Sequence, residues 1–252
     1  MCRRECRLTN EIIAGRNPVL EALRGHRKIK KILLAKHAQG LHNIRVAAEE
    51  AGVPVEMVDR NYLDREAKGA RHQGVVAWAA KYEYVSLSEM LAGVRTEDPL
   101  IVVLDGVEDP QNLGSILRTS EAVSAHGVVI RRDRAAGVTV ATIRAAAGAT
   151  EHIPVAQVTN ISQALQELKT QGLWIIAAEE DAEKDYWDID LTGAVAVVVG
   201  SEGKGLSRLV RKNCDVVVKI PMLGKVRSLN VGVAAALVLY EVRRQRSNLG
   251  RA

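Results

Sequence analysis

The chain has 252 residues, enough for two compact domains or one large one, and 47% of them are apolar, which excludes disorder as its main state. Its net charge of +5 favours a polyanionic partner. Three cysteines (Cys2, Cys6 and Cys214) form neither an even set nor a paired zinc spacing, so they exclude a disulfide framework and a metal site.

The longest apolar run near the end, 231–240, is too short to span a bilayer, and the charged first residues have no apolar signal region behind them. A soluble cytoplasmic protein without a membrane partner is expected. The basic residues cluster in four places: Arg3, Arg4 and Arg7; Arg24, Arg27, Lys28, Lys30 and Lys31; Arg131, Arg132 and Arg134; and Arg243, Arg244 and Arg246. Any one reads as a solvated face, whereas all four together point to nucleic acid. With no Phe, five Tyr and three Trp, phosphate and backbone contacts are favoured over an aromatic stacking platform.

In chain order, residues 10–80 predict a small α/β unit. A helix begins near Asn17, a candidate N-cap, with Pro18 at its first position. A strand at 31–35 precedes a helix over 42–51 that Gly52 and Pro54 close. A second strand (53–58), a short helix (62–68) and a third strand (75–78) follow, which predicts a parallel or mixed sheet. Periodicity weakens over 81–97, which reads as a linker with a short helix at 87–91. From 98 to 252 the alternation is stronger. Strands are predicted at 100–104, 127–130, 174–178, 194–199 and 216–220, all apolar enough for burial on both faces. Helices are predicted at 113–125, 139–147 and 162–170, and a last one over 228–246 ends in basic residues that suit its dipole.

Three loops follow buried strands, where open α/β sheets usually bind ligands. The first, D-G-V-E-D-P-Q-N-L-G-S-I-L-R over 105–118, offers Asn112 and Arg118. Their spacing of six does not put them on one helical face, so by periodicity Asn112 is an N-cap and Arg118 an ion-pair partner. The second, G-S-E-G-K-G-L over 200–206, lacks the Ser or Thr of a phosphate loop and is not G-x-G-x-x-G. It remains a loop open to close backbone approach, with one carboxylate, Glu202. The third, I-P-M-L-G-K-V-R-S-L-N over 220–230, leads into the last helix, which Ser228 or Asn230 could cap. A helix start with free N–H groups would also suit a ligand carboxylate.

Taken together, N-x-G-x-x-x-R at 112–118, G-S-E-G-x-G at 200–205 and I-P-M-x-G-x-V-x-S-L-N-V at 220–231 resemble the three motifs of the SpoU (TrmH-like) family of SPOUT RNA methyltransferases. Upstream, G-R-N-P-V-L-E-A-L at 15–23 and H-Q-G-V-V-A at 72–77 resemble the substrate-binding domain of its bacterial rRNA branch, so the likeness spans about 12–246. It implies an α/β fold whose C-terminal parallel sheet carries a deep trefoil knot, plus a small N-terminal α/β substrate-binding domain. It further implies a homodimer that uses S-adenosylmethionine (AdoMet) to methylate ribose 2′-hydroxyls, with a guanosine in large-subunit rRNA as the expected target. Asn112, Arg118, Glu202, Ser228 and Asn230 enter the catalytic region by this likeness, and Gly200, Ile220, Met222 and Leu229 the cofactor site. Gly232 stands where the family commonly has Ser, and Lys225 and Arg227 add charge to the third motif.

The family likeness makes Arg118 a general base, but a neutral guanidinium at pH 7 would cost about 8 kcal/mol. A cationic Arg118 that fixes a phosphate and stabilises the developing alkoxide is the better physical reading. The competing readings are a tRNA or antibiotic-resistance rRNA methyltransferase, and an RNA-binding assembly factor without turnover. A Rossmann-type methyltransferase would need a glycine cluster after the first strand of 98–252, and Asp105-Gly106 has none.

Overall fold

A computed structural model describes residues 11–25, 27–95, 98–203, 205–226 and 228–249. Cys2, Cys6, the basic cluster at 3–7, Lys204 and Arg227 lie outside the described residues. Contacts divide the chain into two units. One comprises the residues up to Glu83 with Val138–His152, the other Tyr84–Gly137 with Ile153–Ala252.

The first unit runs β1 (Glu11–Ala14), α1 (Arg16–Arg24), β2 (Ile29–Ala35), α2 (His42–Glu50), β3 (Val55–Val58), α3 (Arg60–Glu66) and β4 (Val75–Ala79). Its sheet has the order β1-β4-β2-β3. Here β4 is antiparallel to β1 and β2, while β2 and β3 are parallel, giving the mixed sheet that the alternation predicts. Leu33, Val58 and Val76 pack with Leu63 of α3 on one face, and Ile32, Leu34, Val75 and Ala77 are fully buried on the other. The period of two fixes this division. β1, too short to declare a period, was not foreseen. Because it runs to Ala14, the chain turns at Gly15 straight into α1, and Gly15, not Asn17, occupies the N-cap position.

One predicted role changes here. Arg27 is not a surface cation: its side chain is 4% exposed, pairs with Glu11 and with Glu151 at 3.5 Å, and donates to the Ala80 carbonyl at 2.9 Å. Burial leaves a guanidinium no alternative to such partners. His72 is structural, its Nε2 bonded to Asp64 at 2.9 Å and its Nδ1 accepting the Gly74 N–H at 3.1 Å.

The second unit carries α4 (Leu87–Ala92), β5 (Leu100–Asp105), α5 (Pro110–Ala122) and β6 (Gly127–Arg131), after which α6 (Val140–Ala146) returns to the first unit. It resumes with β7 (Val155–Val158), α7 (Ile161–Thr170), β8 (Trp174–Ala178), β9 (Lys184–Asp185), β10 (Val195–Gly200), α8 (Arg208–Lys212), β11 (Val216–Lys219) and α9 (Val231–Leu249). Every pairing in its seven-stranded sheet, order β7-β6-β5-β10-β8-β11-β9, is parallel. β5 and β10 are buried at every position, as their unbroken apolar runs require. α4 and α7 cover one face with Leu87, Met90, Leu165 and Leu168, and α5 and α9 pack together with contacts to the sheet. Within the stretch 81–97, read as a linker, α4 packs against β7 and Val85 bridges to Ala156.

Within the first unit, α6 packs on β1, and the turn after it brings Gly148 against α1. Gly148 has φ +106°, and a Cβ there would stand 2.4 Å from Glu21 Cγ, so only glycine fits. Among the described residues no helix is long and apolar enough to cross a membrane.

Candidate active site

β5, β10, β8 and β11 end at one edge of the parallel sheet, and the strand order reverses where β10 sits beside β5. Parallel sheets place ligands at such a switch point. A cavity of about 580 Å³ lies at this end of the sheet beside β10, bounded by Ala178 to Asp181 at the end of β8, Val199 to Gly203 and Gly205 at the end of β10, and Ile220, Met222, Ser228 to Val231 and Ala234 after β11. Its size is that of a small-molecule site.

The loop after β10 folds back on its own strand. Ser201 N donates to the Gly205 carbonyl at 3.1 Å and Gly205 N to the Ser201 carbonyl at 3.0 Å. A Cβ on Gly200 would lie 2.3 Å from the carbonyl carbon of Gly205, so the backbone layers touch without intervening side chains.

Three expected residues, one from the first turn of α5 and two from the segments after β10 and β11, meet beside the cavity. Asn112 Nδ2 donates to Glu202 Oε1 at 2.9 Å, and Asn230 Nδ2 donates to Asn112 Oδ1 at 2.9 Å and to Glu202 Oε1 at 3.1 Å. The Val231 N–H reaches the same Glu202 oxygen at 3.5 Å. Asn230 Oδ1 accepts the Gly232 and Val233 amides at 2.9 and 3.3 Å, so it also caps α9, which starts after Asn230 and not at Ser228. Asn112 is not a cap. Asp109 fills that role by accepting the Gln111 N–H at 3.0 Å, because Pro110 takes the first helical position and leaves Asn112 in the first turn.

Arg118 lies further along α5, exposed and without an ion pair or hydrogen bond to a described residue, so the ion-pair reading of it fails. Gly200, Ile220, Met222 and Leu229 line the cavity with Glu202, Ser228 and Asn230, whereas Asn112 and Arg118 do not. Sequence reasoning missed Asp105 and Glu179, which hold the loop after β10 through the Ser207 and Leu206 amides at 2.8 and 3.1 Å. The available signal was a carboxylate at the end of each flanking strand.

The SpoU rRNA Methylase family model matches residues 99–240, more than half of the chain. This chain belongs to the SpoU family. A second model, RNA 2′-O ribose methyltransferase substrate binding, matches residues 12–85. Among its SpoU relatives is YacO of Bacillus subtilis (strain 168), named as a TrmH family tRNA/rRNA methyltransferase. It is 44% identical over 246 residues, 96% of this chain and 98% of its own length. The crystal structure of the SpoU methyltransferase AviRb from Streptomyces viridochromogenes in complex with AdoMet is similar with a TM-score of 0.82. Its identity is 25%, with 96% of this chain and 92% of that one covered. The AdoMet-bound rRNA methyltransferase from Sinorhizobium meliloti gives a TM-score of 0.78 at 26% identity, covering 93% and 87%.

Proposed function

We propose that this enzyme transfers the methyl group of AdoMet to a ribose 2′-hydroxyl of RNA, in the manner of the RlmB-type enzymes that modify a guanosine of large-subunit rRNA. The observation that carries this reading is the closed set of hydrogen bonds joining Asn112, Glu202 and Asn230 at the mouth of the cavity. Its members come from segments up to 118 residues apart in the sequence, after β5, β10 and β11. Residues 10–80 are assigned to RNA binding and 98–252 to methyl transfer, with 81–97 between them, in a cytoplasmic homodimer. A trefoil knot at the end of the chain is in keeping with α9 packing against both β10 and β8 after β11.

The cavity suits AdoMet on its own chemistry. Ile220, Met222 and Leu229 offer an apolar bed for a purine, Gly200 and Gly205 allow close backbone approach, and Glu180, Asp181 and Glu202 supply negative charge for a cationic ligand. Bound there, AdoMet supplies an electrophilic methyl group, so no metal is called for. Arg118, exposed on α5, fixes the neighbouring phosphate and stabilises the oxygen as its proton leaves to solvent. Asn112 and Glu202 orient the ribose, and Ser228 binds polar groups of cofactor or nucleotide. Arg131, Arg132 and Arg134, at and just beyond the end of β6, form no ion pair with a described residue, and extend this edge as a phosphate-binding strip.

The rRNA preference rests on the substrate-binding match at 12–85 and on the S. meliloti rRNA methyltransferase, which aligns with 93% of this chain. Incubation with methyl-labelled AdoMet and with rRNA and tRNA lacking 2′-O-methylation tests the proposal. Label should appear at one ribose of rRNA, and Arg118→Ala should lower turnover by about 100-fold or more with AdoMet binding intact. Label in tRNA alone would overturn the substrate assignment, and label in neither would overturn the activity.

A further inference from the structure

The loop that presents Glu202 is gripped from both sides. β10 lies between β5 and β8, and a carboxylate stands at the end of each of these neighbours. Asp105, the last residue of β5 and only 5% exposed, accepts the Ser207 N–H through Oδ2 at 2.8 Å. Glu179, directly after β8, accepts the Leu206 N–H through Oε1 at 3.1 Å, while its other oxygen pairs with Arg211 of α8. Two consecutive amides of one loop are thus held by two different strands. Upstream the same loop is closed by the reciprocal Ser201–Gly205 bonds.

A segment with glycine at 200, 203 and 205 has much conformational freedom to lose when a ligand binds against its backbone. Bonds from amides to a carboxylate are among the stronger hydrogen bonds available, and they spend that freedom in advance. We propose that Asp105 and Glu179 are positioning residues for methyl transfer. Together they fix the loop over 200–207 in the shape that receives AdoMet, and so hold Glu202 against Asn112 and Asn230. Neither needs to touch the reacting atoms. The proposal rests on reading the cavity as the AdoMet site.

The test measures AdoMet affinity by calorimetry, with KM for AdoMet, KM for RNA, kcat and Tm for each variant. Glu179→Met, which keeps the length and removes the acceptor, should weaken AdoMet binding by about tenfold or more and raise its KM, with KM for RNA unchanged. Asp105→Ala should act in the same direction. Glu179→Gln retains an oxygen for the Leu206 amide, and the half-exposed Arg211 can turn to water, so most of the affinity should return. A purely structural role would lower Tm in all three and leave the affinity of the folded protein as it was; that result overturns the proposal. If Asp105→Ala does not fold, the Met and Gln variants of Glu179, a residue at the cavity wall, decide alone. Ala234→Phe, which fills the cavity, separates the two readings. Unchanged AdoMet binding in that variant would overturn the cavity assignment and the proposal with it. Lost binding there, with wild-type affinity in Glu179→Met, would overturn the clamp while sparing the cavity.

Discussion

Glu202 Oε1 takes hydrogen bonds from two asparagine side chains and faces the first amide of α9, while Asn230 both donates to it and caps that helix. Stability and chemistry can be separated at Asn230. Asn230→Ala removes a cap worth about 1 kcal/mol together with the donor to Glu202, whereas Asn230→Ser restores a cap that cannot reach Glu202. Thermal denaturation should show the Ser variant close to wild type, and methyl transfer should remain low in both. His126 gives a pH test. Burial, with Arg246 in support, holds its imidazole below the ordinary value, and Nδ1 accepts the Leu100 N–H at 3.0 Å, which an unprotonated ring nitrogen allows. The unfolded chain takes up a proton at about pH 6.5 that the folded one refuses, so stability falls as pH drops through that value. His126→Asn keeps an acceptor but no titration, and its Tm should fall less than the wild type's between pH 7 and about 5. Cys214 makes a third case. Burial pushes its thiol up to about 12, and Sγ sits 3.3 Å from the Val210 carbonyl. Peptide mapping after alkylation at pH 8 should find it modified at least about tenfold more slowly than a free thiol. At this scale motif spacing named the candidate site residues but not their bonding. A separation of six along α5 predicts different faces for Asn112 and Arg118, and only the inward one joins the hydrogen-bonded set. Asp105 and Glu179 read as ordinary strand ends because their partners lie 102 and 27 residues away.

Among the elements, α9 has two faces with different duties. Ala235, Val238, Leu239 and Val242 are buried, while Val233, Leu237 and Tyr240 stay 48, 37 and 55% exposed at a spacing of four and three. Such a stripe at one face of a core helix suits a second copy of the chain. If the proposed homodimer uses this stripe, Leu237→Arg should turn it to monomer in sedimentation with little change in helix content; a species of unchanged mass would remove the stripe as the interface. At the start of α9, a Cβ on Gly232 would stand 3.1 Å from Asn230 Oδ1 and 3.2 Å from Ser115 Oγ of α5. A side chain at 232 would therefore crowd Ser115 and the Asn230 amide oxygen. The long buried strands and amphipathic helices were readable because each holds enough residues to declare a period. β1, β7, β9 and α8 were not; β3, β6, β8 and β11 are as short, but apolar runs or flanking turn residues mark them. Basic clusters were the weakest guide. Arg244 pairs with Glu241 at 2.7 Å, and Arg246 donates to the carbonyls of Asp98, Pro99 and Gly193, so two of the last three cations are engaged within the fold.

Across the whole molecule, the chain passes between its two contact units three times, after Glu83, after Gly137 and after His152. The middle excursion is not a surface loop: Val138, Ile143 and Ala146 are 4, 2 and 1% exposed within the unit built on β1. A fragment beginning at Tyr84 would leave that apolar face without its partner, and light scattering should show it aggregating. Replacing 138–152 in the same fragment by a Gly/Ser link of equal length should restore solubility. Periodicity predicted a helix at 139–147 but could not say which unit it serves, because membership depends on packing and not on pattern.

That excursion also constrains how specificity can be inherited. A single crossover that swapped the first 83 residues for those of a relative would pair a new β1 and α1 with the old α6 and an unmatched Gly148 turn. If the first unit sets substrate preference, as proposed, its exchange calls for two linked replacements, one over residues up to Glu83 and one over 138–152. Chimeras built that way should outperform those joined at a single seam.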